Sequence, residues 1–160
     1  MTTLPTLAFD PALDLELNRV VDVSPALLWR AWTEPELLKQ WFCPLPWKTT
    51  ECEIDLRPGG RFRTLMQGPD GEQHDNTGCY LAVVPQTLLA FTDALGPGWR
   101  PKEGGFMTAS VHFQAEGAGT RYVARAFHKD ADARKQHEAM GFEQGWGTAL
   151  DQLVALAKRM

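Results

Sequence analysis

Residues 140 to 158 read Met-Gly-Phe-Glu-Gln-Gly-Trp-Gly-Thr-Ala-Leu-Asp-Gln-Leu-Val-Ala-Leu-Ala-Lys, a single helical pattern at the end of a long run of strands. Phe142, Trp146, Ala149, Leu150, Leu153 and Ala157 recur at helical spacing, while Glu143, Asp151, Gln152, Lys158 and Arg159 fall largely on the other side. A lone amphipathic helix that follows a sheet buries its stripe by lying across that sheet. Gly145 and Gly147 flank Trp146 and lower helix propensity beside the bulkiest side chain, which suits close backbone approach or a mouth that opens. The plain alternative is that the stripe is ordinary core.

What precedes the helix is legible in segments. Residues 1–12 carry two prolines and no sustained periodicity and are expected to form a loose arm, leaving 13–160 as one domain. From Leu13 to Val23 the odd positions, Leu13, Leu15, Leu17, Arg19, Val21 and Val23, oppose Asp14, Glu16, Asn18 and Asp22, the mark of a half-buried strand. Ser24-Pro25 supplies a cap and a first-turn proline for a helix over 26–32. Thr33-Glu-Pro-Glu36 fits a capping box for a second short helix carrying Leu37, Leu38, Trp41 and Phe42. Strands and turns then run from Thr49 to His128, with turns predicted at Pro58-Gly59-Gly60, Pro69-Asp70-Gly71 and Gly117-Ala-Gly119, and strands at 78–84, 87–93, 107–114 and 121–127. Leu95 to Gly105, with four glycines and two prolines around Trp99, reads as the longest irregular piece, either a lid or partner contact or simply a mobile exposed hairpin. Asp130 to Met140 predicts a short polar helix ending at Gly141.

A chain of 160 residues can bury a sizeable core, and its net charge of −4 is spread without long runs, which argues against nucleic acid or an anionic membrane as the main partner. The start of the chain lacks the pattern of a secretion signal and no stretch has the length of a membrane span, so a cytoplasmic protein is expected. Cys43, Cys52 and Cys79 are odd in number and widely spaced, which predicts reduced thiols rather than disulfides or a zinc site.

The order strand, two short helices, about six antiparallel strands, long final helix is a helix-grip arrangement. Four motifs make it specific: Ser24 to Phe42, Asp55-Leu-Arg-Pro-Gly-Gly-Arg-Phe62, Gly78-Cys-Tyr80 and Gly141 to Leu153. Together they resemble the bacterial proteins named after the C-terminal domain of the activator of heat-shock protein 90 ATPase, within the START-like or polyketide cyclase superfamily. The resemblance covers about residues 13 to 158. It implies an α+β fold in which a curved antiparallel sheet of six to seven strands grips the last helix, with a largely apolar cavity between them. Fold and function separate here, because one scaffold hosts many activities. The eukaryotic activators carry an additional N-terminal domain that makes much of the chaperone contact, and the 12 residues ahead of the first strand supply nothing of that kind.

The residues show no familiar catalytic set. His137-Glu138 is not followed by a second histidine at helical spacing, and GxSxG, a Walker loop and a GxGxxG after a strand are missing. Glu51, Glu53 and Asp55 alternate with apolar residues and read as a solvated strand face. If Tyr122, Ala124 and Ala126 face the interior, His128 does too, where it would meet His137 or Glu138; a hydrogen-bonded histidine at a strand end is the simpler reading. Arg19 falls on the inward face and needs a carboxylate or a ligand, a satisfied core arginine being the simpler outcome.

The apolar candidates for a cavity are Trp41, Phe62, Met66, Tyr80, Phe91, Phe113, Phe142, Trp146 and Leu150, with His128 as a titratable wall. Aromatic walls with a few polar groups are the usual form of a small-molecule site. The leading expectation is a non-enzymatic protein holding a small apolar or amphipathic molecule, with Tyr80, His128 or Arg19 as polar anchor and neither metal nor cofactor. Two alternatives stand beside it. One is a cyclase or hydrolase using His128 for proton transfer; the other is a chaperone cofactor or stress-response partner acting through Trp99 and the outer sheet face. A homodimer is compatible with the sequence.

Overall fold

A computed structural model of the chain describes residues 8–160. The elements in chain order are β1 (Asp14–Val21), α1 (Pro25–Thr33), α2 (Pro35–Leu38), β2 (Lys48–Ile54), β3 (Arg61–Gln67), β4 (Gln73–Val84), β5 (Leu88–Thr92), β6 (Leu95–Gly96), β7 (Arg100–Pro101), β8 (Thr108–Glu116), β9 (Gly119–Phe127), α3 (Ala131–Ala139) and α4 (Phe142–Ala157). The antiparallel main sheet has seven strands in the order β1-β9-β8-β5-β4-β3-β2. Its turns follow local chemistry. Gly59 has φ +80, and a Cβ on Gly60 would fall 1.9 Å from the Asp55 carbonyl oxygen, so only glycine fits there.

The inward faces of these strands meet α4 and α1. Leu28, Leu38, Leu89, Val111, Leu150 and Leu153 are fully enclosed, each worth about 1.5–3 kcal/mol of transfer free energy. The predicted stripe of α4 is buried along its length except Trp146, which is half-buried. Gln152, expected on the polar side, is only partly exposed because its amide is a clamp. Its Nε2 donates to the carbonyls of Trp41 and Cys43 at 3.0 and 2.8 Å, while its Oε1 accepts from the Leu45 amide at 3.1 Å. These three hydrogen bonds fasten the segment after α2 to α4.

Several local expectations are corrected. The capping box at Thr33 does not form. Glu34 precedes a proline and is driven to an extended ψ of 117°, so α1 continues through Thr33 and breaks one residue later. The Thr33 hydroxyl instead donates back to the Trp29 carbonyl at 2.7 Å. Helix α2 ends at Leu38, and Trp41 and Phe42 follow it on hydrogen-bonded turns rather than on the helix. Asp14, expected on the solvent side, is buried because the chain folds back over it: its carboxylate accepts from the Asp10 amide at 2.9 Å. Strand β4 begins at Gln73, five residues before the predicted start at Gly78, and Leu95 to Pro101 is not irregular but a small hairpin, β6 paired with β7 around a single 3-10 turn.

Of the expected N-terminal arm, residues 1–7 lie outside the described ones, while the Phe9 ring sits under the Arg125 guanidinium at 5.2 Å. Glu51 and Glu53 do lie on a solvated face, both paired with Arg63, which also holds Asp75. No helix among the described residues is long and apolar enough to cross a membrane.

Candidate functional site

The candidate wall residues fall into groups rather than one ring around one space. The inner group forms because α1, the turns after α2, and strands β3 to β5 all present aromatics to the same point. The Trp32 ring meets those of Trp41, Phe42 and Phe91 at 4.8, 5.7 and 5.8 Å. Phe62 then stacks on Tyr80 at 5.1 Å with planes 14° apart and meets Phe91 edge-on at 5.0 Å. Phe113 lies with Trp29 and Tyr122, each 5.9 Å away, and Trp32 Nε1 donates to the Tyr122 hydroxyl at 3.1 Å. Leu150 is buried in the same core, whereas Met66 is half-buried beyond it.

Tyr80 is the exception in this interior. It is 0% exposed, and its hydroxyl has no hydrogen-bond partner among the described residues. A phenol so placed costs about 1–3 kcal/mol in lost hydration. Burial also pushes its pKa far above the ordinary range, with a smaller push from Cys52, so it remains an O–H donor.

The second group sits where β9 ends. His128 donates from Nδ1 to the Leu13 carbonyl at 2.8 Å, since a carbonyl only accepts, and its Nε2 faces His137 Nδ1 at 2.9 Å. Of the two partners expected for His128, the structure brings His137; Glu138 turns away to Arg134 at 3.2 Å. Phe106, Phe142 and Trp146 pack around His137 at 4.7, 5.1 and 6.0 Å. Burial, and secondarily the neighbouring His128, lower the His137 pKa to about 4, so this ring is neutral at ordinary pH.

Arg19 reaches neither cavity nor core. It crosses α4 at Gly147, where a Cβ would stand 2.5 Å from its guanidinium, and pairs with Asp151 at 3.1 Å while still 41% exposed. Gly147 is thus the close approach that its sequence suggested. Gly145 has only Pro44 near it, 3.9 Å from a hypothetical Cβ, and no contact requires glycine there. Gly145→Ala is therefore expected to stabilise by about 0.5–1 kcal/mol through helix propensity, measured as a higher urea midpoint. A lower midpoint would show a steric demand that the geometry lacks.

Two hollows open on the surface beside β1. One of about 360 Å³ is lined by residues including Phe9, Glu16, Arg134 and Glu143; the other, of about 570 Å³, reaches Asp10, Phe127 and His128. Between α4 and the sheet, by contrast, the aromatic side chains meet each other. Sequence reasoning missed Trp32 and Phe106 as members of the two groups. Trp32 lay within the predicted first helix, but nothing local shows that its indole reaches β9. Phe106 precedes β8 out of phase with the inward residues Ala109, Val111 and Phe113, so alternation points it away. Cys43, Cys52 and Cys79 are free thiols, and among the described residues no three potential metal ligands come together.

A seven-stranded sheet closed over a terminal helix, with an aromatic interior between them, defines a helix-grip protein of the START-like class. The chain belongs to the family of activator of Hsp90 ATPase homolog 1-like proteins, whose family model matches residues 22–158. It is similar to a solved structure of a protein from Nitrosomonas europaea, with 48% identity, TM-score 0.92, and coverage of 94% of this chain and 97% of that one. A protein from Mycobacterium smegmatis is 27% identical with TM-score 0.76, covering 91% and 90%. An AHSA1-like protein from Aeromonas hydrophila, at 23% identity, TM-score 0.71 and coverage of 92% and 93%, shows the same fold. No curated protein matches by sequence.

Proposed function

We propose that this protein binds a small amphipathic molecule between α4 and the sheet, its apolar body among the inner aromatics and its polar group on the Tyr80 hydroxyl. The observation that carries this reading is that hydroxyl, buried and without a hydrogen-bond partner among the described residues. Evolutionarily cheap alternatives such as phenylalanine would avoid the desolvation cost, and an acceptor atom on a ligand would recover it. Because the inner side chains touch one another, uptake requires the start of α4 to move. Half-buried Trp146 and the uncrowded Gly145 place the least constrained part of the helix there. The rival enzymatic reading would draw on His128, but its partners are a carbonyl and a neutral histidine rather than a carboxylate, a poor arrangement for relaying a proton.

The test is native mass spectrometry of the purified protein together with a thermal-shift panel of fatty acids and phenolic lipophiles. A ligand found this way should bind Tyr80→Phe about tenfold more weakly, the equivalent of one hydrogen bond of about 1.4 kcal/mol. Without ligand the same variant should be as stable as the parent or slightly more so. No ligand by either method, or a bound ligand indifferent to Tyr80→Phe, would overturn the assignment.

A further inference from the structure

The β6–β7 excursion presents an arrangement that ligand binding inside the domain does not use. Trp99 is 53% exposed and has φ 60°, a left-handed conformation that a bulky side chain rarely adopts. The surroundings enforce it. The Gly98 amide donates to the Gly59 carbonyl at 2.7 Å, and the indole lies on the Cα of Gly59, 3.2 Å from where a Cβ would stand. The Gly59 amide in turn donates to the Tyr80 carbonyl at 2.7 Å, and the Tyr80 amide to the Gly60 carbonyl at 3.0 Å. A conformation of this kind persists only where the surrounding structure over-determines it, and these bonds hold the exposed indole in one place.

The residues that flank Trp99 in the chain and in the neighbouring strands carry charges of one sign in excess. Arg57 stands two residues before Gly59; Arg61 lies across the strand pair from Cys79, whose thiol meets the Trp99 backbone; Arg100 follows directly; and Lys102 is fixed by its ammonium to the Thr77 carbonyl. Only Arg57 has an acidic partner, Asp55, at 2.8 Å; among the described residues Arg61, Arg100 and Lys102 have none, and Glu103 is the one further carboxylate in the excursion. This cationic surface stands on a chain whose net charge is −4.

We propose that Trp99 and the guanidinium groups of Arg61 and Arg100 form a docking platform for an acidic segment of a partner protein, one that sets an apolar side chain on the indole beside its carboxylates. Arginine forks match carboxylates in pairs, and an exposed tryptophan among arginines is the usual anchor of a protein contact. Four cations on these neighbouring segments are too few to follow a nucleic-acid backbone, and the acidic remainder of the chain repels an anionic membrane.

The probe is a fluorescein-labelled peptide of alternating Asp and Leu, with a Lys-Leu counterpart as control, followed by anisotropy at low and high salt. The Asp peptide should bind, lose affinity about tenfold or more as salt rises through the range where the Debye length shrinks to several ångströms, and quench tryptophan emission. Trp99→Ala should weaken it at least tenfold, and Arg61→Glu with Arg100→Glu should abolish it. These positions are exposed, and unchanged thermal midpoints would confirm that the variants fold. Equal binding of the Lys peptide, indifference to the variants, no binding up to about 1 mM peptide, or tighter binding to phosphatidylserine vesicles or single-stranded DNA would overturn the proposal. None of these outcomes depends on a ligand at Tyr80, because Tyr80→Phe leaves the platform's backbone bonds in place.

Discussion

Trp32→Ala is expected to lower stability by about 4–5 kcal/mol, measured by urea denaturation, a large fraction of the margin of a domain this size. Trp32 is 4% exposed and is the one ring that touches Trp41, Phe42 and Phe91 together. Its removal leaves a cavity bordered by side chains from α1, the turns after α2 and β5, each fixed in its own hydrogen-bonded element, so the space refills only in part. The indole N–H also bonds the buried Tyr122 hydroxyl, joining α1 to β9 across the core. Trp32→Phe separates the two contributions. It keeps most of the ring contacts and deletes the donor, so an intermediate loss of about 1–3 kcal/mol is expected. A loss under about 1.5 kcal/mol for the alanine variant would mean that the inner aromatics reorganise freely, contrary to core packing of this density.

Acidification should destabilise the protein between pH 6.5 and about 4, by on the order of 2 kcal/mol through His137. In the folded state its ring titrates near 4, whereas in the unfolded chain it takes up its proton near 6.5. The unfolded state therefore binds more protons within that window. The contribution is fully present above pH 6.5, falls as pH drops through the window, and is exhausted below about 4. The charged groups on neighbouring elements are committed elsewhere. The Asp14 carboxylate accepts from Asp10, Asp93 accepts from the amides of Phe106 and Met107, and Arg134 holds Glu138 and the Asp14 carbonyl. Among the described residues no carboxylate pairs with His137. Proton NMR titration should find the His137 resonance moving near pH 4, and His137→Phe should flatten this part of the stability curve. A midpoint close to 6.5 would remove the prediction.

The sheet was legible because its strands have one wet face and one dry one. Leu15 and Leu17, or Val111 and Phe113, alternate with polar neighbours, and α4 carries a stripe that only a sheet can cover. Where two local rules competed, reading from residues alone erred. Thr33 matched a capping box, but the conformational demand of Pro35 on Glu34 outweighed it. Asp14 looked solvated by phase, yet the backbone fold at Asp10 to Leu13 buried it. The candidate site was legible as a set of aromatics and not as an arrangement. Ring-to-ring contacts depend on which strand lies beside which, so the division between the group at Trp32 and the group at His137 has no local signature. That the Tyr80 hydroxyl lacks a partner is likewise a property of everything surrounding it.

The neighbours of β1 bear on how the chain reaches its fold. Leu17 pairs with Ala124, so the first strand made is completed by the last. At a synthesis rate of about 5–20 residues per second, β1 emerges several seconds to some twenty seconds before β9 exists to receive it. The strands from β2 to β5 have sequence neighbours beside them and can assemble meanwhile, leaving Leu15 and Leu17 exposed on an unpaired ribbon. Nascent chains halted before Gly119 should therefore be cut readily by protease around β1 and sparingly across β3 and β4. The closing of this sheet is a late, non-local event, and during translation its opening strand is the segment most in need of a chaperone's cover.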